Sequence, residues 1–250
     1  MIVQRLTDFI WVGIDSALSR SHVNRVARIF YALKTSLSAL ESYYKNLAID
    51  SAHPAPTRYF PSITTYRGED GLEVKFKYVG YLENGSDCVT LRAQTETEPA
   101  QDIVVKFVER YSPRAHHMLA DEGWAPRLKY YGPLEPYGSL FMVVMEYIRG
   151  ETFTLAKSKM NKDRVETVKS EIQHALRLLH DHGLVFGDLR PPNVMITEEN
   201  TVKLIDFDWA GEAGQVKYPH LLSPAVTWPK DAGPLDPISI EHDLEMLEGL

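Results

Sequence analysis

The sequence lacks several features that would indicate particular classes of protein. A single cysteine, Cys88, excludes an intrachain disulfide and a zinc site built on cysteines. No stretch approaches the roughly 18 apolar residues that a membrane-spanning helix needs. The N-terminal segment also lacks a basic start followed by a clean apolar core, so we predict no signal peptide. These absences favour a cytoplasmic, intracellular protein without a membrane partner.

Positive charge is also scarce. The 250 residues include 27 Lys and Arg against 34 Asp and Glu, which gives a net charge of −7. Proteins that hold nucleic acid through its phosphates need a positive surface. The proportions of hydrophobic residues, 44%, and charged residues, 24%, are those of an ordinary globular protein. We therefore expect a globular protein without a nucleic-acid partner.

Residues 1–60 carry a helical pattern. From Val23 to Leu47 apolar residues recur at alternating steps of three and four, which places them on one face of a helix. Ser21 is a candidate N-cap for this helix. Three prolines in "SAHPAPTRYFPS" then indicate a linker. We predict a helical N-terminal extension over residues 1–60.

Residues 61–149 change to short segments rich in β-branched and aromatic residues, such as "LEVKFKYVGYL" and "DIVVKFV". This pattern predicts an antiparallel sheet. One short helix interrupts it in "SPRAHHMLADEG", where Ser112 and Pro113 indicate the start and Gly123 the end.

Residues 150–250 are predicted to be mainly helical. Asp163 and Glu166 form a candidate capping box at the start of a long helix. The segments "NVMIT" and "VKLIDF" predict two short strands separated by a turn. The whole pattern predicts an α+β fold with a β-rich part, a helical part and a helical N-terminal extension.

Three oxygen-bearing side chains lie in and around the predicted hairpin. Asp188 is on a loop, where a carboxylate can accept the proton of a hydroxyl group. Asn193 and Asp206 offer hard oxygen ligands, which suit Mg2+ together with phosphate oxygens. A hairpin brings residues that are distant in sequence side by side, so both ligands could face one metal ion.

Four segments resemble, in the same order, motifs of the protein-kinase-like superfamily. "DIVVKFV" resembles the strand with the phosphate-binding lysine, and "VVMEYIRG" resembles the last sheet strand with the hinge. "VFGDLRPPNVMI" resembles the catalytic loop, and "LIDFDWAG" resembles the strand that leads into D-F-G. The resemblance covers residues from about 70 to 250. More narrowly, "AHHMLADEGWAP" and "GDLRPPN" are similar to fungal protein-kinase-like proteins, some with crinkler-type effector relatives.

The resemblance implies a two-lobed kinase fold, with an antiparallel N-lobe over residues 61–149 and an abbreviated helical C-lobe over residues 150–250. It also implies a Ser/Thr-kinase-like phosphotransferase that uses ATP and Mg2+. By resemblance, the catalytic residues are Asp188 as base and Arg190 near the transferred phosphate. The metal ligands are Asn193 and Asp206. The nucleotide-binding residues are Lys106 at the phosphates, the gatekeeper Met145, the backbone of Glu146 and Ile148 at the adenine edge, and Gly80 and Gly85 in the phosphate-covering turn.

The sequence departs from the kinase pattern at several positions. Phe186 and Gly187 replace His-Arg, which argues against switching by activation-loop phosphorylation because the arginine that receives the phosphate is missing. Asp208 replaces the Gly of D-F-G and is either a solvated carboxylate or a further contact near the metal. "GD" and "IDFD" resemble small-molecule kinases such as aminoglycoside and choline phosphotransferases.

The expected carboxylate partner of Lys106 is also missing from the short helix. His116 is the candidate at the equivalent position, although a histidine supplies no steady negative charge. Asp243 is the candidate acid that braces the catalytic loop. Two alternatives stay open: a small-molecule kinase, and a pseudokinase that serves as a binding scaffold. The acceptor hydroxyl, on a protein or on a small molecule, is likewise open.

We predict that the apolar face of the N-terminal helix packs on the β-rich lobe of the same chain and that the protein is a monomer. Burial of one Leu contributes roughly 1.5–3 kcal/mol, and the flanking residues Ala27, Ser36 and Ala39 cannot form the paired charges of a coiled coil. Leu37→Asp should therefore lower the melting temperature of the whole kinase-like body in thermal unfolding. A dimer mass in light scattering, with Leu37→Asp giving a folded monomer of unchanged melting temperature, would instead indicate a dimerisation helix.

Overall fold

The structure, a computed structural model, describes residues 20–45, 63–82, 89–134 and 140–250. The chain divides into two compact units, residues 1–58 and residues 59–250. The predicted linker at residues 51–62 lies outside the described residues, as does Cys88. None of the helices in the described ranges is long and apolar enough to cross a membrane.

The first unit contains one long helix, α1, at Arg20–Lys45. It begins one residue before Ser21, so Ser21 lies in the first turn and the predicted N-cap is wrong. Near its end, Glu41 and Lys45 form an ion pair of 2.7 Å one turn apart. The surface that covers the apolar face of this helix stays a prediction.

The second unit begins with an antiparallel sheet of six strands in the order β1-β2-β3-β4-β6-β5. Side chains alternate between its two faces, as in any pleated strand. On β4, Ile103, Val105 and Phe107 enter one apolar cluster, while Val104 and Val108 enter another on the opposite face. Lys106 shares the face of Val104. The strands are β1 (Thr65–Arg67), β2 (Glu73–Tyr81), β3 (Val89–Thr95), β4 (Asp102–Val108), β5 (Leu128–Pro133) and β6 (Phe141–Glu146).

Helix α2 (Pro113–Asp121) lies between β4 and β5 in the chain. Its start is as predicted, because the Ser112 side chain accepts a hydrogen bond from Ala115 N and Pro113 is the first helical residue. Gly123 follows the helix with a left-handed backbone, φ 80°, which glycine adopts without steric cost.

The remaining elements form a mainly helical lobe around a second apolar core. Val168, Ile172, Leu176 and Leu179 of α4 are fully buried there. Two small sheets, with the strand order β10-β9-β7 and the pair β11-β8, lie in this lobe. The elements are β7 (Gly150–Thr152), α3 (Phe153–Ala156), α4 (Lys162–His180), β8 (Leu184–Val185), β9 (Val194–Thr197), β10 (Val202–Leu204), β11 (Gly211–Glu212) and α5 (Ile240–Gly249).

The start of α4 corrects one prediction. Asn161 is the N-cap, and its side chain accepts a hydrogen bond from Arg164 N at 2.8 Å. Asp163 instead lies within the first helical turn, so the predicted capping box at Asp163 and Glu166 is wrong. Asn and Asp serve equally well as N-caps, so residue type alone does not separate Asp163 from the true cap two residues before it.

Replacing the observed cap should therefore cost more than replacing the predicted one. Asn161→Ala is expected to lower the free energy of unfolding by about 1 kcal/mol, because it removes the acceptor for Arg164 N. Asp163→Ala, the matched control, should cost less because it removes only a favourable charge in the first turn. Urea unfolding of both variants would measure the two changes. A larger loss for Asp163→Ala would contradict the assignment of the cap.

Candidate active site

The loop that carries Asp188 is held by a carboxylate from the last helix. Asp243 on α5 is buried and accepts hydrogen bonds from Phe186 N and Gly187 N, both at 2.8 Å. His180, at the end of α4, donates its Nε2 hydrogen to the same carboxylate at 3.0 Å. Two backbone donors and one imidazole thus fix the loop immediately before Asp188, and Asp243 braces the loop as expected from the sequence.

The structure gives a physical reason for both unusual residues before Asp188. Phe186 is fully buried and makes an edge contact with Phe207, with ring centroids 5.4 Å apart. Gly187 has a left-handed backbone, φ 84°, and a Cβ atom there would lie 2.7 Å from Trp209 O. Apolar packing therefore supports the loop where the kinase pattern has histidine, and the next position is restricted to glycine.

Asp188 is almost fully buried, and its carboxylate accepts hydrogen bonds from two neighbouring side chains. Arg190 donates from Nε to Oδ1 at 2.5 Å and from Nη2 to Oδ2 at 2.6 Å. Asn193 Nδ2 donates to Oδ2 at 2.8 Å. Burial raises the pKa of Asp188 above its ordinary value, and the charge of Arg190 opposes this rise. Arg190, which the resemblance places near the transferred phosphate, therefore contacts the candidate base directly.

Asn193 and Asp206 are brought together as the hairpin predicts. Ile205 N donates to Asn193 O at 3.0 Å, so the residue before Asp206 is tied to Asn193. The Asn193 amide nitrogen donates to Asp188, and its side-chain carbonyl oxygen is not used in that contact. Asp206 has a left-handed backbone, φ 73°, which is uncommon outside glycine and occurs often at functional sites.

Lys106, on β4 of the sheet, contacts the carboxylates that follow β10. It is 3% exposed on β4, and its Nζ lies 2.6 Å from Asp206 Oδ1 and 2.8 Å from Asp208 Oδ1. Burial raises the pKa of Asp206, but the Lys106 ammonium outweighs that effect and holds it below its ordinary value. Burial and the charge of Asp206 together raise the pKa of Asp208 to about 7. Asp208 is therefore a member of the buried cluster and not a solvated loop carboxylate.

A cavity of about 330 Å3 opens beside Lys106 and Asp206. Met145, Glu146 and Ile148 line it at the end of β6 and in the segment that follows, as the hinge resemblance predicts. The Glu146 side chain accepts from Arg127 N at 3.4 Å and so is used outside the cavity. Further lining residues include Leu82, Thr90, Val104, Met195 and Ile205.

The two glycines predicted to form the phosphate-covering turn, Gly80 and Gly85, are not found at the cavity in the described part of the chain. Gly80 lies within β2, where the register with β3 shifts, and is absent from the cavity lining. Gly85 lies outside the described residues. Leu82 and Thr90, on either side of that turn, line the cavity instead.

His116 is not the partner of Lys106. Its Nε2 donates to Pro126 O at 2.7 Å, and its Nδ1 accepts from Tyr111 Oη at 2.6 Å. The ring stacks on Phe207 with centroids 4.4 Å apart. Burial lowers the pKa of His116 to about 4, so the ring is neutral and joins α2 to the D-F-D segment by stacking.

The chain is similar to known protein kinases in sequence and in fold. A family model described as "Protein kinase domain" matches residues 128–226. The serine/threonine-protein kinase PAK mbt of Drosophila melanogaster is 26% identical over 168 residues, which cover 60% of this chain and 26% of that protein. The serine/threonine-protein kinase SMU1 of Mycosarcoma maydis is 30% identical over 149 residues, which cover 56% of this chain and 19% of that protein. The chain thus spans about a quarter or less of these relatives.

The fold has a counterpart among solved structures. The Cydia pomonella Granulovirus kinase, PK-1, superposes with a TM-score of 0.55 over 69% of this chain and 65% of that chain, at 13% sequence identity. The family match over residues 128–226 and the shared fold support a protein-kinase-like assignment for this chain. The two-lobed α+β kinase fold is confirmed, while the narrower likeness to fungal and crinkler-type proteins stays a prediction.

Several residues around this kinase-like site were not identified from the sequence. Val104 could have been found, because it lies two residues before Lys106 on the same face of β4. Tyr111, which contacts both His116 and Phe207 in one aromatic group, gave no local signal. Arg110 and Trp209, with the guanidinium 5.8 Å from the ring centroid, meet only through tertiary folding.

The neutral state of His116 predicts a pH dependence of stability. Its pKa is about 4 in the folded chain and 6.5 when unperturbed, so the unfolded chain binds the proton more tightly. The contribution of this ring to the free energy of unfolding is fully present above pH 6.5. It falls by roughly 3 kcal/mol as the pH falls to 4. The difference in unfolding free energy between the native chain and His116→Phe should change by that amount over this range.

The measurement is urea unfolding at several pH values between 4 and 7. His220→Gln, which removes an exposed histidine in place of the buried one, is the matched control. Parallel pH dependences for the native chain and His116→Phe would show that this ring is not held neutral.

Proposed function

We propose that this kinase-like chain is an ATP- and Mg2+-dependent phosphotransferase that transfers the γ-phosphoryl group to a hydroxyl, as a Ser/Thr protein kinase does. One observation carries the proposal. Lys106, Asp188, Asn193 and Asp206 converge beside a cavity of about 330 Å3, although they come from the sheet, a loop and a hairpin. A cavity with a few convergent polar groups is the usual form of a ligand site.

The cavity suits a nucleotide. Val104, Met145, Met195 and Ile205 give it apolar walls that can hold a flat base. The backbone of Glu146 and Ile148 supplies polar groups at its edge, in the proposed position of the adenine contacts. Lys106 lies at the opposite, charged end and would hold the α- and β-phosphates as a point charge.

The donor set also suits Mg2+. Asn193 offers a carbonyl oxygen and Asp206 a carboxylate whose pKa is lowered, which is the hard oxygen chemistry that this ion prefers. In the cluster as a whole, the carboxylates of Asp188, Asp206 and Asp208 outnumber the cations Lys106 and Arg190. A bound Mg2+ would neutralise charge on the phosphates during transfer.

Asp188 is the proposed base. A carboxylate has about four lone-pair sites, and the contacts from Arg190 and Asn193 leave room for a hydroxyl donor. The acceptor oxygen forms a bond to the γ-phosphorus while the bond to the β,γ-bridging oxygen breaks, and ADP leaves. Asp188 takes the hydroxyl proton. Its burial raises its affinity for that proton, which suits this role.

Two features bear on the acceptor. The relatives are named serine/threonine-protein kinases, which favours a protein hydroxyl. The "GD" and "IDFD" segments instead resemble small-molecule kinases, so both acceptor types belong in the assay. A scaffold that binds no nucleotide is the competing function from another class. The contacts among Lys106, Asp188, Asn193 and Asp206 favour the enzyme, because a scaffold has no need of them.

The test separates the metal ligand from the base. Asp206→Ala is expected to abolish Mg2+-dependent binding of ATP, while Asp188→Ala should bind ATP nearly as the native chain does and lose turnover. Titration calorimetry with and without Mg2+ measures binding. Release of ADP with a mixture of protein and small-molecule acceptors measures turnover.

The exposed acid Glu212, changed to Gln, is a matched control for loss of one negative charge. Equal affinity for ATP and Mg2+ in the native chain and Asp206→Ala would contradict the metal assignment. Absence of any binding to the native chain at millimolar ATP would overturn the proposed function in favour of the scaffold.

A further inference from the structure

Lys106 is a buried cation that needs steady neutralisation. Its side chain is 4% exposed, and an uncompensated charge at such a site is strongly destabilising. Protein kinases meet this need with a glutamate from the helix that packs on the sheet. Here the corresponding helix is α2, and its single acidic residue, Asp121, is exposed at its last position.

The helix therefore offers Lys106 no carboxylate. His116, the buried polar side chain near the middle of α2, is neutral and has both ring nitrogens engaged by Tyr111 and Pro126. Its ring faces Phe207, with which it stacks almost in parallel at 7°. The negative charge beside Lys106 must come from another element.

Asp208 supplies it. Its Oδ1 lies 2.8 Å from Lys106 Nζ, and its side chain is 24% exposed. It stands two residues after Asp206, and the left-handed backbone at Asp206 turns the chain so that both carboxylates reach the same ammonium. The position has glycine in the D-F-G pattern, so this contact has no counterpart in that pattern.

Asp206 and Asp208 differ in whether they also bind the metal ion in the proposed function. In the proposed function Asp206 is a metal ligand, so its negative charge is divided between Mg2+ and Lys106. Asp208 has no such second task among the assigned roles. A cation held by Asp208 keeps its place at the phosphates while Asp206 serves the metal.

We propose that Asp208 is the positioning residue for Lys106 and replaces, from the D-F-D segment, the carboxylate that α2 lacks. This inference rests on the proposed function, because it assumes that Lys106 binds phosphate. It also accounts for two departures from the kinase pattern. The carboxylate that α2 lacks and the extra carboxylate of Asp208 both concern the neutralisation of Lys106.

The first test is a double-mutant cycle on ATP affinity, measured by titration calorimetry with Mg2+. Asp208→Asn should weaken binding about tenfold in the native chain, within the range of coupling between residues in contact. In a Lys106→Met background the same change should have little effect, because its target is absent. Equal losses in both backgrounds would overturn the proposal and show that Asp208 acts on the metal or the nucleotide directly.

The second test needs no nucleotide. Acylation of Lys106 by a small activated ester, followed by mass spectrometry of its peptide, reports how firmly the ammonium is held. Asp208→Asn should speed this reaction about tenfold, because the amine is then held by one carboxylate instead of two. Glu212→Gln, which removes an exposed charge from the same segment, should leave the rate unchanged.

The two tests separate the two proposals. If the native chain binds no ATP, the proposed function fails, and the acylation rate alone decides whether Asp208 holds Lys106. An unchanged rate overturns the inference whether or not ATP binds. If Asp208→Asn fails to fold, Asp208→Gly, which restores the residue of the D-F-G pattern, takes its place in both measurements.

Discussion

The ion pair between Lys106 and Asp206 is the contact on which the site depends. It joins β4 of the sheet to the segment after β10, and so brings the two lobes together at one point. Two desolvated charges seldom add much net stability, but removing Lys106 would leave Asp206 and Asp208 close together without its compensating charge. The pair therefore fixes a geometry more than it strengthens the fold. The left-handed backbone at Asp206 is the strained conformation that this geometry requires.

A set of rings supports the same segment from the other side. Phe207 lies between the buried ring of Phe186 and the neutral imidazole of His116, and Tyr111 closes the group with a hydrogen bond to His116. Aromatic contacts thus connect the catalytic loop, the D-F-D segment and α2. Polar and charged residues usually make part of these connections in kinases. In this chain, packing of aromatic rings makes these connections. This accounts for Phe186 before Asp188 and for the uncharged His116.

The sequence was sufficient for the parts of the fold that depend on local pattern and order. The alternation along β4, the cap of α2 and the order of the four motifs predicted the sheet, the helix and the place of Lys106, Asn193 and Asp206. Asp243 was also anticipated, because one acid on a late helix is part of the motif order. The failures were of two kinds. Ser21 and Asp163 were each predicted to cap a helix but lie inside it, because only backbone geometry decides where a helix begins. His116 was misjudged and Asp208 was left open because their surroundings come from elements distant in sequence, and burial determines both their charge and their partners.

The backbone at Gly187 has a consequence for how this chain can change over time. Any side chain at this position would bring its Cβ to 2.7 Å from Trp209 O and would have to adopt φ 84°. An arginine that receives a phosphate therefore cannot be introduced here by a single substitution, because the segment around Trp209 would also have to move. New control of the site would have to arise at another position.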